Sequence, residues 1–239
     1  MAPLVAGSDK PRVVFVHGQG RFGAAAWPYQ HRLAGQFDCL FLRRHGYAPT
    51  AAPLPTDFQA DMHIVLENLG GGGHVVAHSR GAISAMMAAV ERPELVQSLT
   101  LFEPACLSLT ADLPATRAHR ERLASLYAAR AELTDEQYQH EFSRLMFGSQ
   151  AGPLRTREER RAARRLRLQE APWTAPLTIV PGLPTLVVTG GWEPLYEEVG
   201  EYLATTGATH RHAPGHHRPQ DSAEGHRMLL EFLRRHQQQ

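Results

Sequence analysis

Short runs rich in Val, Leu and Phe alternate with stretches of helical periodicity along this chain of 239 residues. Runs this short that are apolar along their whole length are typical of strands in a parallel sheet, with helices covering both faces. We therefore expect an α/β fold whose functional groups lie in loops at the carboxyl ends of the strands. The predicted strands are Arg12–Val16, Cys39–Leu42, His74–Ala77, Ser98–Phe102, Thr185–Thr189 and Thr209–His212.

The alternation stops between Pro104 and Leu183, where no run resembles a strand. We predict a core of residues 1–104 and 184–239, with a helical cap over 105–183 that acts as a lid. The third predicted helix of the cap is rich in arginine, which indicates a solvated face with i,i+4 ion pairs. A docking surface for an acidic partner is the alternative. The predicted cap helices are Pro114–Glu132, Thr134–Phe147 and Thr156–Gln169.

Composition excludes several classes of function. With 43% hydrophobic and 21% charged residues the chain is globular, and a net charge of +1 argues against nucleic acid or an anionic membrane as partner. Cys39 and Cys106 are too few for a disulfide framework. Residues Met1–Lys10 contain no secretory signal, so we expect a cytoplasmic location. The oligomeric state is left open.

The segment Ala77–Gly81, with the sequence AHSRG, links a predicted strand to a helix rich in small residues. Small residues two positions before and after Ser79 allow helix and strand to approach closely, and the sharp turn presents the serine hydroxyl. Ser79 is therefore a candidate nucleophile. An ordinary serine at the start of a helix is the alternative interpretation.

A glycine-rich loop, His17-Gly18-Gln19-Gly20, follows the first predicted strand. Such a turn exposes backbone N–H groups. The amides of Gln19 and Arg80 could together stabilise the oxyanion of a tetrahedral intermediate, and Gly18 is a further candidate for the oxyanion hole or for substrate binding. A tight turn without catalytic function is the alternative.

A histidine loop, Ala213-Pro214-Gly215-His216-His217, follows the last predicted strand, and His216 is the candidate general base. Together with His210 and His212 these residues resemble metal ligands. No carboxylate or cysteine completes a typical ligand spacing, so we expect no metal.

Two glutamates could orient the histidine. Glu103 ends the fourth predicted strand, and Glu193 follows the fifth in the segment GGWEP. The residues alone leave both candidates open.

Five motifs in order resemble those of small bacterial α/β-hydrolases with a helical cap. They are HGQG at 17–20, LRRHGY at 42–47, AHSRG at 77–81, GGWEP at 190–194 and APGHH at 213–217. The resemblance implies Ser79 as nucleophile, His216 as base and acid, and no cofactor. The sequence departs from the family pattern at Ala77, where glycine is usual, and at Glu193, where aspartate is usual. Only 23 positions separate Glu193 from His216, which is a shorter connection than the resemblance leads us to expect. Some α/β-hydrolases carry the acid after the strand that corresponds to the one ending at Glu103, so the resemblance favours Glu103 slightly.

The expected activity is that of a serine hydrolase cleaving an ester, thioester or lactone of a small or medium-sized apolar molecule. A cofactor-free lyase, a cyclase or a C–C hydrolase is the alternative, since one fold supports many reactions. A non-catalytic binding protein is a third. If Arg80 points into the pocket, it favours a substrate with a carboxylate; if it points outward, it is a surface charge.

Overall fold

A six-stranded parallel sheet forms the centre of the molecule. The computed structural model describes residues 10–149 and 151–237, so most of the segment inspected for a secretory signal lies outside the described residues. The strand order is β2-β1-β3-β4-β5-β6. The strands are β1 (Arg12–Val16), β2 (Asp38–Phe41), β3 (Gly73–His78), β4 (Val96–Phe102), β5 (Thr185–Thr189) and β6 (Thr209–His212). The predicted α/β class and all six predicted strands are confirmed.

Alternate residues of the strands pack into separate cores on the two faces of the sheet. On β1, Val14 and Val16 join the apolar cluster beneath helices α1, α2 and α6. Val13 and Phe15 join the cluster beneath helix α7. Burial on both faces explains why β1, β3, β4 and β5 are rich in apolar residues, whereas β6 at the edge of the sheet is polar and largely exposed. These helices are α1 (Phe58–Leu69), α2 (Gly81–Glu91), α6 (Pro194–Thr205) and α7 (Ala223–Arg235).

Three helices occupy the chain between β4 and β5, as the sequence predicts. They are α3 (Pro114–Ala128), α4 (Asp135–Phe147) and α5 (Arg157–Arg167). Thr134 and Thr156 begin α4 and α5 with capping boxes. The three helices share an apolar cluster of their own that includes Leu123, Tyr138 and Leu166. None of the helices in the described ranges has the length and hydropathy needed to cross a bilayer.

Arg157, Arg160 and Arg164 of α5 are exposed, as the sequence predicts, but the described residues of this helix form no i,i+4 ion pair. Arg165 is buried and pairs with Glu158 at 2.8 Å, seven positions away. Arg167 reaches Asp135 of α4 at 2.6 Å, and Arg161 donates to loop carbonyls of Ala48 and Ala51. The charged helix therefore connects α4 and the loop that follows β2, because its partners lie on neighbouring elements.

Candidate active site

Ser79 lies in the tight turn between β3 and α2, with a backbone φ of +53°. A positive φ is uncommon for residues other than glycine and is strained. The amide of Ser79 donates to the carbonyl of Phe102 at 2.9 Å, which ties the turn to β4. A Cβ on Gly81 would lie 2.4 Å from the carbonyl oxygen of Val16. Only glycine therefore allows α2 to start this close to β1.

The loop His17–Gly20 packs directly against this turn. A Cβ on Gly18 would lie 2.8 Å from the Cβ of Ser79, so Gly18 leaves no space between the two turns. Gln19 borders the same cavity as Ser79 and Arg80. The amides of Gln19 and Arg80 thus belong to two backbone turns in contact with each other.

His17 stabilises this loop through hydrogen bonds made by its neutral imidazole ring. Its Nδ1 lies 2.7 Å from the carbonyl oxygen of Gly18, and its Nε2 accepts from the amide of Arg44 at 3.1 Å. Burial, followed by the charge of Arg44, lowers the pKa of His17 to about 3. A neutral ring can donate from Nδ1 and accept at Nε2, which matches both contacts.

Glu103 ends β4 with a φ of +46° and has no exposed surface. Its Oε1 accepts from the amide of Gly190 at 2.6 Å. Its Oε2 accepts from Nε1 of Trp192 at 2.9 Å and lies 3.2 Å from Nδ1 of His217. These donors satisfy a buried carboxylate that would otherwise be costly to desolvate.

The histidine that reaches Glu103 is His217, whereas the sequence interpretation selected His216. His216 has a φ of +52° and an exposed side chain. The turn at His216 directs the next residue, His217, into the cavity that Ser79 borders. The geometry therefore favours His217 over the predicted His216 as the partner of Glu103, because the loop turns inward one residue later than the motif suggests.

The position of His217 is fixed from two sides. Nε2 of His78 donates to the carbonyl of His217 at 2.7 Å, and burial lowers the pKa of His78, which keeps that ring neutral. The ring of Tyr196 lies 4.8 Å from the His217 ring, measured between centroids. The sequence analysis did not select His78, Trp192 or Tyr196, although His78 lies in the motif AHSRG and Trp192 in the motif GGWEP.

Glu193, the other candidate acid, lies at the start of α6 and is half-buried. Its side chain does not cap the helix, and its carbonyl accepts from the amide of Tyr196. In the described part of the chain, no hydrogen bond or ion pair joins its carboxylate to His216 or His217. The structure therefore brings Glu103, and not Glu193, to a histidine.

A cavity of about 240 Å³ lies over Ser79, and both the sheet and the inserted helices contribute to its wall. From the sheet side come Gln19, Ser79, Arg80 and His217. The wall on the opposite side is largely apolar and is formed by His119, Leu123, Tyr127, Phe142, Met146 and Phe147. The arrangement can therefore hold a small, mostly apolar molecule against the serine.

A separate cluster outside this cavity could hold a metal ion. Ligand atoms of Glu197, His210 and His212 all lie within 4.8 Å of one another. Glu197 is the carboxylate that sequence spacing did not pair with these histidines. Hydrogen bonds already connect the group, since Oε2 of Glu197 lies 2.6 Å from Nε2 of His212 and accepts from Thr189 at 2.9 Å.

Comparison with known proteins identifies relatives by family and by fold. The sequence matches the Alpha/beta hydrolase family over residues 13–229. No curated protein matches the chain. Several solved structures resemble it at low sequence identity, which shows a shared fold alone.

Three of these structures illustrate the range of proteins with this fold. A carboxylesterase of the thaumarchaeon Nitrososphaera gargenis is 16% identical, covers 95% of this chain and 90% of its own, and has a TM-score of 0.63. An epoxide hydrolase from metagenomes of hot environments is 18% identical, with 94% and 91% covered and a TM-score of 0.64. MenH from S. aureus is 16% identical, with 97% and 96% covered and a TM-score of 0.58.

Proposed function

The chain belongs to the alpha/beta hydrolase family, and from that premise we propose that it is a serine hydrolase. Its substrate is an ester, thioester or lactone of a small or medium-sized molecule that is largely apolar. One observation carries the proposal: the buried Glu103 pairs with His217, and this histidine borders the same cavity as Ser79 on its strained turn. A nucleophile, a base and a group that orients the base form the catalytic arrangement of such enzymes.

The reaction begins when Oγ of Ser79 attacks the substrate carbonyl while Nε2 of His217 accepts the hydroxyl proton. Glu103 accepts a hydrogen bond from Nδ1, which leaves the lone pair on Nε2 and stabilises the imidazolium that forms. The amides of Gln19 and Arg80 stabilise the oxyanion. His217 then protonates the departing alcohol or thiol, and an acyl-enzyme on Ser79 remains.

Water completes the cycle. A water molecule attacks the acyl group while His217 accepts one of its protons. His217 then transfers this proton to Oγ of Ser79 as the acid product leaves. No metal or cofactor is needed for either half of this reaction.

Residues 105–183 form the lid of this active site in our proposal. Helices α3 and α4 contribute apolar side chains to the cavity wall opposite Ser79, so they exclude water from the reaction. Glu198 of α6 anchors the start of α3, accepting from the amides of Ala115 and Thr116 at 2.8 Å. The lid is thus attached to the core at a fixed point close to the cavity.

Hydrolysis of p-nitrophenyl butyrate tests the proposal. We expect the wild-type protein to release p-nitrophenol, and Glu103→Gln to lower kcat by about 10²-fold or more, because the His217 imidazolium loses its charge partner. Glu193→Gln is the matched control and is expected to retain nearly full kcat. Absence of wild-type hydrolysis across acyl chain lengths would argue against the function, and equal losses in both variants would argue against Glu103.

A further inference from the structure

The guanidinium of Arg80 is a buried positive charge without a carboxylate partner among the described residues. The residue is 6% exposed, and a guanidinium remains charged at any physiological pH. Its Nη1 donates to the hydroxyl of Tyr127 at 3.2 Å, and its Nη2 donates to the main-chain carbonyl of Glu170. Both acceptors are neutral, so neither compensates the charge.

Glu170 and Glu103 lie in the surroundings of Arg80, but both carboxylates already bind other groups. The carboxylate of Glu170 pairs with Arg130. The carboxylate of Glu103 is occupied by Gly190, Trp192 and His217. Within the described ranges, Arg80 takes part in no ion pair. Burying an unpaired charge destabilises the fold unless a ligand of opposite charge binds to it.

The guanidinium of Arg80 also has hydrogen-bond donors that the described residues do not use. A guanidinium carries five N–H bonds, and the hydrogen bonds to Tyr127 and Glu170 use two of them. The Nε–H is buried and has no hydrogen-bond partner in the part of the chain that the structure describes. Each of the three nitrogens therefore keeps one N–H without a protein acceptor, in the planar geometry that carboxylates bind.

The cavity that Arg80 borders has no negative charge of its own. Among the described residues that line it there is no aspartate or glutamate. His119, another lining residue, has its pKa lowered to about 4 by burial and by the charges of Arg122 and Arg80, so its ring is neutral near pH 7. Apart from Arg80 the wall is mostly apolar, with Leu107, Leu123, Phe142 and Leu195.

We propose that the substrate carries a carboxylate that binds Arg80 under the lid, while its scissile carbonyl lies at Ser79. This inference rests on the proposed hydrolase function and specifies its substrate class as an apolar molecule with one anionic end. The carboxylate takes no part in the bond-breaking step. Its contact with Arg80 is present in both the bound substrate and the transition state, so it lowers KM more than it raises kcat.

Two pairs of esters test the proposal with the wild-type protein, because the anion can lie on either side of the scissile bond. The first pair is the p-nitrophenyl monoester of adipic acid and its methyl-capped counterpart. The second pair is meta-acetoxybenzoate and its methyl ester. In at least one pair we expect kcat/KM to be about 10- to 100-fold higher for the anionic ester, mainly through KM. Equal values within both pairs would overturn the inference.

Variants then assign any preference to Arg80. Arg80→Met keeps an unbranched side chain and the backbone amide, and we expect it to abolish the preference for the anionic ester. Arg80→Lys retains a positive charge and is expected to retain part of the preference. Tyr127→Phe removes one hydrogen bond but not the charge, and should keep the preference. An unchanged preference in a folded Arg80→Met protein would contradict the assignment.

A binding measurement separates this inference from the hydrolase function. In calorimetric titrations, we expect hexanoate to bind the wild-type protein more tightly than hexanamide, with the difference lost in Arg80→Met. If the protein hydrolyses both neutral esters and shows no preference for the anionic esters, the proposed function stands and the carboxylate site is contradicted. If hexanoate binds more tightly than hexanamide but no ester is hydrolysed, the carboxylate site is supported and the proposed function is contradicted.

Discussion

Replacing His217 with asparagine is expected to lower kcat for ester hydrolysis by about 10³-fold or more, whereas His216→Asn should change it little. The expectation follows from the position of His217, whose Nδ1 lies 3.2 Å from the buried Glu103 carboxylate. Its ring borders the cavity above Ser79. Without this ring the serine hydroxyl loses the proton acceptor that the proposed mechanism assigns to it.

The two histidines provide a closely matched pair of variants. They are adjacent in sequence and share one loop, so both substitutions perturb a similar length of chain. Asparagine is chosen because it tolerates the positive φ of +52° at His216 better than alanine does. Steady-state kinetics with p-nitrophenyl butyrate measures the effect, and thermal melting confirms that both variants are folded. A larger loss in His216→Asn would restore the assignment made from the sequence.

Removing the carboxylate of Asp61 is expected to cause the largest loss of stability that we predict. Asp61 is 3% exposed and Arg44 is 6% exposed. Nε and Nη2 of Arg44 both lie 2.8 Å from Oδ2 of Asp61, and Oδ1 accepts from the amide of His45 at 2.6 Å. In Asp61→Ala, the guanidinium stays buried without a counter-ion.

The free energy of unfolding of Asp61→Ala should fall by about 3–5 kcal/mol, because breaking a buried pair leaves one charge uncompensated. For a chain of this size such a loss lowers Tm by about 10 °C. The amide of Arg44 also donates to His17, so the loop beside Ser79 loses part of its support. Denaturant titration and calorimetry measure both quantities.

Glu231→Ala is the control for this stability measurement. Glu231 pairs with Arg227 at 2.9 Å on the surface of α7, where both side chains are more than half exposed. Exposed pairs of this kind contribute little, so we expect almost no change in the free energy of unfolding. If Asp61→Ala and Glu231→Ala were equally stable, the pair between Arg44 and Asp61 would not support the fold.

Most strands could be predicted from the sequence because burial on both faces requires a short run of apolar residues, although β6 is largely exposed. Each strand is a short run bounded by loop residues, and β1, β5 and β6 have the predicted bounds. Two of the three helices between β4 and β5 carry a local start signal, since Thr134 and Thr156 begin α4 and α5 with capping boxes. The partners of the α5 arginines were not predictable, because they lie on other elements.

The choice between neighbouring candidates in the site depended on geometry that no local pattern records. His216 and His217 differ by one position, and a positive φ at the first decides which ring faces inward. Glu103 and Glu193 both follow strands. Because β4 and β5 are paired neighbours, Glu103 lies close enough to accept from Gly190. The pairing of β4 with β5 thus distinguishes Glu103 from Glu193, which the sequence alone does not do.

Covalent labelling with a fluorophosphonate tests most directly whether Ser79 is an activated nucleophile. Oγ of Ser79 would displace fluoride and form a stable phosphonate ester, which peptide mass spectrometry can locate. We expect one adduct on the peptide that contains Ser79 in the wild-type protein, and none in Ser79→Ala. A folded wild-type protein that remains unlabelled, or that is labelled only at another residue, would contradict the proposed serine hydrolase.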